Sequence, residues 1–131
     1  MRVIDSSTLV KFFSKERGWE KVAEIIPEGV VTLDLAIKEI ASALWKKVIK
    51  GEMDEGIAVR ILSDLLKKEA IVVVYQDEYL TEAFKIAVKY KITVYDALFI
   101  ALAKSLKTEL ITSDRKQYSV SLEEGVKTTF I

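Results

Sequence analysis

Four acidic side chains stand where this chain could do chemistry: Asp5 in VIDSSTLV, Glu39 in LAIKEIASAL, Asp96 in TVYDALFIALA and Asp114 in LITSDRKQ. The sequence contains no histidine and no cysteine, so carboxylates are the natural carriers of any hydrolytic or metal chemistry. Gathered at one place, they would repel one another unless a cation were bound. Their hard oxygens suit Mg²⁺ or Mn²⁺ better than zinc, which favours His and Cys. A hydrated divalent cation can polarise a phosphate and supply the attacking water. The chemistry expected of such a quartet is phosphodiester hydrolysis.

Each residue also has a simpler reading. Asp5, ahead of Ser6-Ser7-Thr8, can cap a helix. Thr93-Val94-Tyr95-Asp96 has the spacing of a capping box. Asp114 can cap a turn at Arg115–Tyr118, and Glu39 borders an apolar stripe between Ala36 and Ala43, where a solvated glutamate paired with Lys46 or Lys47 gives the same pattern. What separates the two readings is convergence, because caps need not gather at one point. Ser6, Ser7, Thr112 and Ser113 could bond the carboxylates or the waters of a metal.

The elements that must position these groups alternate between strand and helix. Strands are expected at Arg2–Ile4, Val30–Leu33, Ile71–Tyr75, Glu109–Thr112 and Gly125–Phe130. Ile71–Tyr75, without polar alternation, reads as a strand covered on both faces. Short helices are expected at Leu9–Ser14 and Trp19–Ile26, before the break at Pro27-Glu28-Gly29. A long helix follows, capped by Asp34 and stopped by Gly51, with Ala36, Ile37, Ile40, Ala41, Leu44 and Val48 on its apolar face. A further helix, Met53–Lys68, turns Ile57, Ile61, Leu62, Leu65 and Leu66 inward. Helices at Glu78–Tyr90 and Tyr95–Leu106 complete the pattern. It predicts an α/β fold, a three-layer α/β/α sandwich on a mostly parallel five-stranded sheet, with residues 1–131 as a single domain. Ligands of such sheets bind beyond the carboxyl ends of the strands, which is where Asp5 and Asp114 fall.

The 131 residues are 50% hydrophobic and 31% charged, a globular composition. No apolar run reaches the ~18 residues of a membrane span. The opening MRVIDSST reads as a strand rather than a signal peptide, and the lack of cysteine fits a reducing cytoplasm. Twenty Lys+Arg balance twenty Asp+Glu. A nucleic acid would therefore need a local basic patch, for which Lys11, Lys15, Arg17, Arg115 and Lys116 are candidates. The tyrosines, Trp19 and Trp45 could stack bases, or serve as core or interface.

The motifs VIDSSTLVKFF, LAIKEIASAL and TVYDALFIALAKSLKTELITSDRK resemble those of the PIN-domain nucleases, most closely the VapC-type toxins of toxin–antitoxin pairs. The most specific is the last, an aspartate opening an Ala-rich helix before a strand that closes in Thr-x-Asp. By this resemblance Asp5, Glu39, Asp96 and Asp114 match the acidic quartet, as catalytic and metal-binding residues. Ser6 and Thr112 match the hydroxyl positions beside it. The resemblance implies Mg²⁺- or Mn²⁺-dependent endonucleolytic cleavage of single-stranded RNA, a homodimer, and a VapB-type antitoxin whose tail masks the site. Other readings are an RNA-processing nuclease of the same fold outside a toxin–antitoxin pair, and a non-catalytic binding or receiver-like module. The receiver reading lacks the paired acidic residues at the first strand and a lysine after the last.

Overall fold

The computed structural model describes residues 1–131. Five short runs rich in β-branched residues form the strands β1 (Arg2–Ile4), β2 (Val30–Leu33), β3 (Val72–Val74), β4 (Leu110–Thr112) and β5 (Thr128–Phe130). They lie in the order β3-β2-β1-β4-β5, and every pair is parallel. Parallel neighbours require crossover connections. These are supplied by α1 (Ser6–Phe13), α2 (Trp19–Ile25), α3 (Asp34–Ile49), α4 (Glu55–Leu66), α5 (Leu80–Tyr90), α6 (Val94–Leu106) and α7 (Arg115–Glu123). The architecture is the expected α/β/α sandwich, with a sheet that is wholly parallel. No helix is long and apolar enough to cross a membrane.

The core sits around β1, where Val3 is in register with both Val31 and Leu110. Against β1 and β4 packs α6, which is buried without interruption from Ala97 to Ala103. A helix apolar on all sides belongs inside a fold, and this one fixes Asp96 in its first turn. Thr32, buried in β2, is satisfied by donating to the Ile4 carbonyl at 2.7 Å. The chain lays down β1, β2 and β3 in one direction, then returns to place β4 on the other side of β1. Strand order therefore reverses between β1 and β4, and the crevice at that switch point is where ligands of such sheets bind.

Four local expectations are revised. First, α1 begins at Ser6, directly on the Asp5 cap, rather than at Leu9. Second, Leu33 occupies the cap position of α3; Asp34 lies inside the first turn, and its carboxylate accepts the Gln76 N–H at 3.0 Å. Asp34 thus ties α3 to the turn after β3. Third, β3 is an edge strand pairing only with β2, so Val72 is 41% exposed rather than covered. Fourth, α4 buries Ala58 and Leu65 while Ile57 and Leu66 stand 55% and 60% exposed. Adjacent helical residues point about 100° apart, so one member of Leu65–Leu66 must face out, and Ala58 lies on the same face as Leu65, seven residues on. As expected, α3 ends just before Gly51, whose φ of +76° is one that glycine adopts without a Cβ penalty.

Candidate active site

Asp5 leaves the end of β1 and caps α1. Its Oδ1 accepts the Thr8 N–H at 3.1 Å, the Ser7 hydroxyl at 2.7 Å and the Thr8 hydroxyl at 3.1 Å. Its Oδ2 accepts the Thr112 hydroxyl. Capping and membership of the site are therefore compatible, one oxygen serving the helix and the other facing β4. Asp5 is 3% exposed, the floor of the crevice. Burial pushes its pKa up, and the bonds from Thr112, Ser7 and Thr8 oppose that rise.

Thr112, fully buried at the end of β4, links two members of the quartet. Its hydroxyl donates to Asp5 and accepts the Asp114 N–H at 3.0 Å. Asp114 in turn caps α7 by accepting the Gln117 N–H at 2.8 Å, so the expected turn is the start of a longer helix. The Gln117 side chain reaches across to donate to the Asp96 carbonyl at 3.0 Å. The chain segment 112–117 thus connects Asp5, Asp114 and Asp96 through hydrogen bonds.

Asp96 opens α6. Its N–H donates to the Thr93 hydroxyl at 3.2 Å, which is one half of the capping box. Burial and the neighbouring Asp114 charge push its pKa up, against the Thr93 hydroxyl and the Lys116 charge. Glu39, in the second turn of α3, accepts the Ser6 hydroxyl at 2.6 Å. It is not paired with Lys46 or Lys47. Its pKa is pushed up by burial, opposed by the Ser6 bond, and pushed further by the charges of Asp96 and Asp5.

These influences join the four residues in one electrostatic field: Asp5 and Asp96 act on Glu39, and Asp114 acts on Asp96. By residue surface, exposure grades outward from buried Asp5 through half-buried Glu39 to Asp96 and Asp114 at the rim, although the Asp96 carboxyl is still partly desolvated by its neighbours. The protein's ion pairs involve none of the four. No three acidic side chains close around a common point as a ready-made metal cage. The donor set is oxygen throughout, which fits a hard cation.

The expected basic rim is only partly formed at this crevice. Lys11 donates to the Ile131 carbonyl at 2.8 Å, Lys15 lies over the Trp19 ring and Arg115 over the Phe130 ring. Lys116 is the member whose charge reaches Asp96. Sequence reasoning missed Thr8 and Gln117. Asp114-Arg115-Lys116-Gln117 has an Asx-x-x-Gln cap signature, but nothing local shows that Gln117 would reach Asp96.

A PIN domain family model matches residues 2–122. The chain belongs to the PIN-domain family. It is 34% identical over 117 residues to Ribonuclease VapC3 of Pyrobaculum aerophilum, covering 87% of this chain and 89% of that protein. Exonuclease VapC9 of the same organism is 31% identical over 114 residues, covering 87% and 80% respectively. A toxin–antitoxin complex from Klebsiella pneumoniae shares the fold at a TM-score of 0.65 and 19% identity, over 91% of each chain. The two Pyrobaculum relatives support nuclease activity for this PIN domain.

Proposed function

We propose that this chain is a divalent-metal-dependent endoribonuclease acting on single-stranded RNA, and the toxin of a type II toxin–antitoxin pair. Asp5, Glu39, Asp96 and Asp114 are its catalytic and metal-holding residues; Ser6 and Thr112 orient them. The observation carrying this reading is the quartet itself: four carboxylates in one field, at the switch point of a parallel sheet, unpaired with any basic side chain. Such mutual repulsion is relieved by a cation. Mg²⁺ keeps several waters and takes one or two carboxylates directly, so a quartet that does not close into a cage suits it.

When bound, Mg²⁺ or Mn²⁺ supplies charge neutralisation at the phosphate and a more acidic water. Asp5 supplies the anchored anion, its geometry fixed by Thr112, Ser7 and Thr8. Glu39 is held toward α1 by Ser6. Open Asp96 and Asp114 border the side from which substrate enters. The antitoxin partner is supported by the VapC names of the relatives and by the toxin–antitoxin neighbour, and the homodimer by an exposed apolar stripe on α5.

Incubation with a panel of single-stranded RNAs and Mg²⁺ or Mn²⁺ is expected to give cleavage, abolished by chelator and reduced at least about a hundredfold in Asp5→Asn and Asp96→Asn. Activity surviving both substitutions, or indifferent to chelator, would sink the mechanism. One relative is named an exonuclease, so a circular single-stranded RNA is included. Internal cutting opens the circle; a circle left intact while linear RNA is degraded would replace endonuclease with exonuclease.

A further inference from the structure

We propose that α3 carries the RNA backbone away from the acidic site, with Lys46 and Lys50 holding its phosphates; this rests on the ribonuclease reading above. A groove of about 460 Å³ runs along this helix, lined by Glu39, Ser42, Ala43, Lys46, Lys47 and Lys50, with Glu52 at its far end. Lys46 and Lys50 follow Glu39 by seven and eleven residues, which at 100° per residue returns both to within about 20° of the Glu39 face. At 1.5 Å per residue they stand about 10 and 16 Å along the axis from Glu39. That separation lies within the reach of a few nucleotides from a phosphate held at the quartet. Between them Ser42 and Ala43 are small, which leaves the groove its depth.

Lys46 and Lys50 are exposed and make no ion pair, whereas Lys47 is drawn to Glu16 at 3.5 Å. Lys67, Lys89, Lys104 and Lys127 are likewise paired with carboxylates. A chain of zero formal charge has no long-range field to hold a polyanion, so affinity must come from local cations. These two share a helix face with a site carboxylate and line one groove with it. They also complement the carbonyl end of α3, a structural role that the experiment must separate from RNA binding.

The test is fluorescence anisotropy with a labelled 12-nucleotide single-stranded RNA and Mg²⁺, using the full chain with Asp96→Asn so that the probe stays intact. Adding Lys46→Gln and Lys50→Gln together is expected to weaken binding on the order of tenfold at 0.1 M salt. The slope of log K against log salt should become shallower by about 1.4, or ~0.7 for each phosphate no longer neutralised. Lys46→Arg with Lys50→Arg should restore both values. An unchanged slope overturns the proposal, as does a fall in melting temperature with RNA binding intact. So does an oligoglutamate that loses affinity in the Gln variant while RNA does not, which would assign the groove to an acidic protein segment. Loss of slope in a chain that cuts no RNA would support the backbone track and remove the nuclease reading alone.

Discussion

At the scale of single residues, the site depends on hydroxyls as much as on carboxylates. Thr112 is buried, donates to Asp5 and accepts from the Asp114 N–H. Thr112→Val keeps the shape and removes both bonds, leaving a buried carboxylate oxygen and a backbone donor without that partner. The expected cost is about 1–3 kcal/mol in chemical denaturation, with a roughly tenfold or greater loss of cleavage. Thr112→Ser should recover most of both; a Val variant as active as the parent would deny Thr112 an orienting role. The residue types were legible in the sequence, but their division of labour was not. Asp5 reads as either cap or site residue because one-dimensional spacing cannot show that its two oxygens face different elements. Asp34 reads as a cap because its partner, the Gln76 N–H, lies 42 positions away.

At the scale of elements, three helices are fastened by one charge cluster remote from the crevice. Glu124, at the end of α7, accepts from Lys104 of α6 at 2.6 Å, from the Tyr90 hydroxyl of α5 at 2.8 Å and from Lys89 at 3.3 Å. Burial alone would raise its pKa, but Lys104, Tyr90 and Lys89 outweigh it and bring the value from 4.5 down to about 2. A depressed carboxylate pKa gives stability that is fully present above 4.5 and is lost as pH falls through about 2. Glu124→Gln should therefore melt on the order of 5 °C below the parent at pH 7. The gap should close as pH approaches 2. An equal gap at both pH values would mean that the cluster acts through packing rather than charge. This clamp was invisible in the sequence because its members come from separate helices. Strand and helix order were legible from β-branched runs and helical periodicity. Facing was less so: α4 is apolar over too much of its circumference for periodicity to choose Ala58 over Ile57, and the β-branched run of β3 looks the same at a sheet edge as at its centre.

For the whole molecule, the balance of charge and the placing of apolar surface bear on assembly. The expected single domain leaves a stripe of Leu80, Phe84 and Val88 on α5, 47%, 59% and 64% exposed. These residues are four apart and share a face, while Ala83, Ile86 and Ala87 bury the adjoining one. Contiguous exposed apolar surface is a feature of interaction sites, and this stripe is the surface on which the proposed homodimer is tested. An exposed acid, Asp77, precedes the stripe and an exposed base, Lys91, follows it. Two copies meeting antiparallel about a two-fold axis would then set the acidic end of each against the basic end of the other, as a self-complementary interface requires. Leu80 shares a groove with Tyr95, the residue beside Asp96, so the proposed homodimer would border both acidic crevices and join their RNA paths into one surface. Phe84→Glu places a charge at the centre of that contact without disturbing the buried face. Sedimentation velocity is expected to show a dimer for the parent and a monomer for the variant, with unchanged circular dichroism. A parent that stays monomeric at tens of micromolar, or a variant that still pairs, would mean that α5 is not the dimer surface.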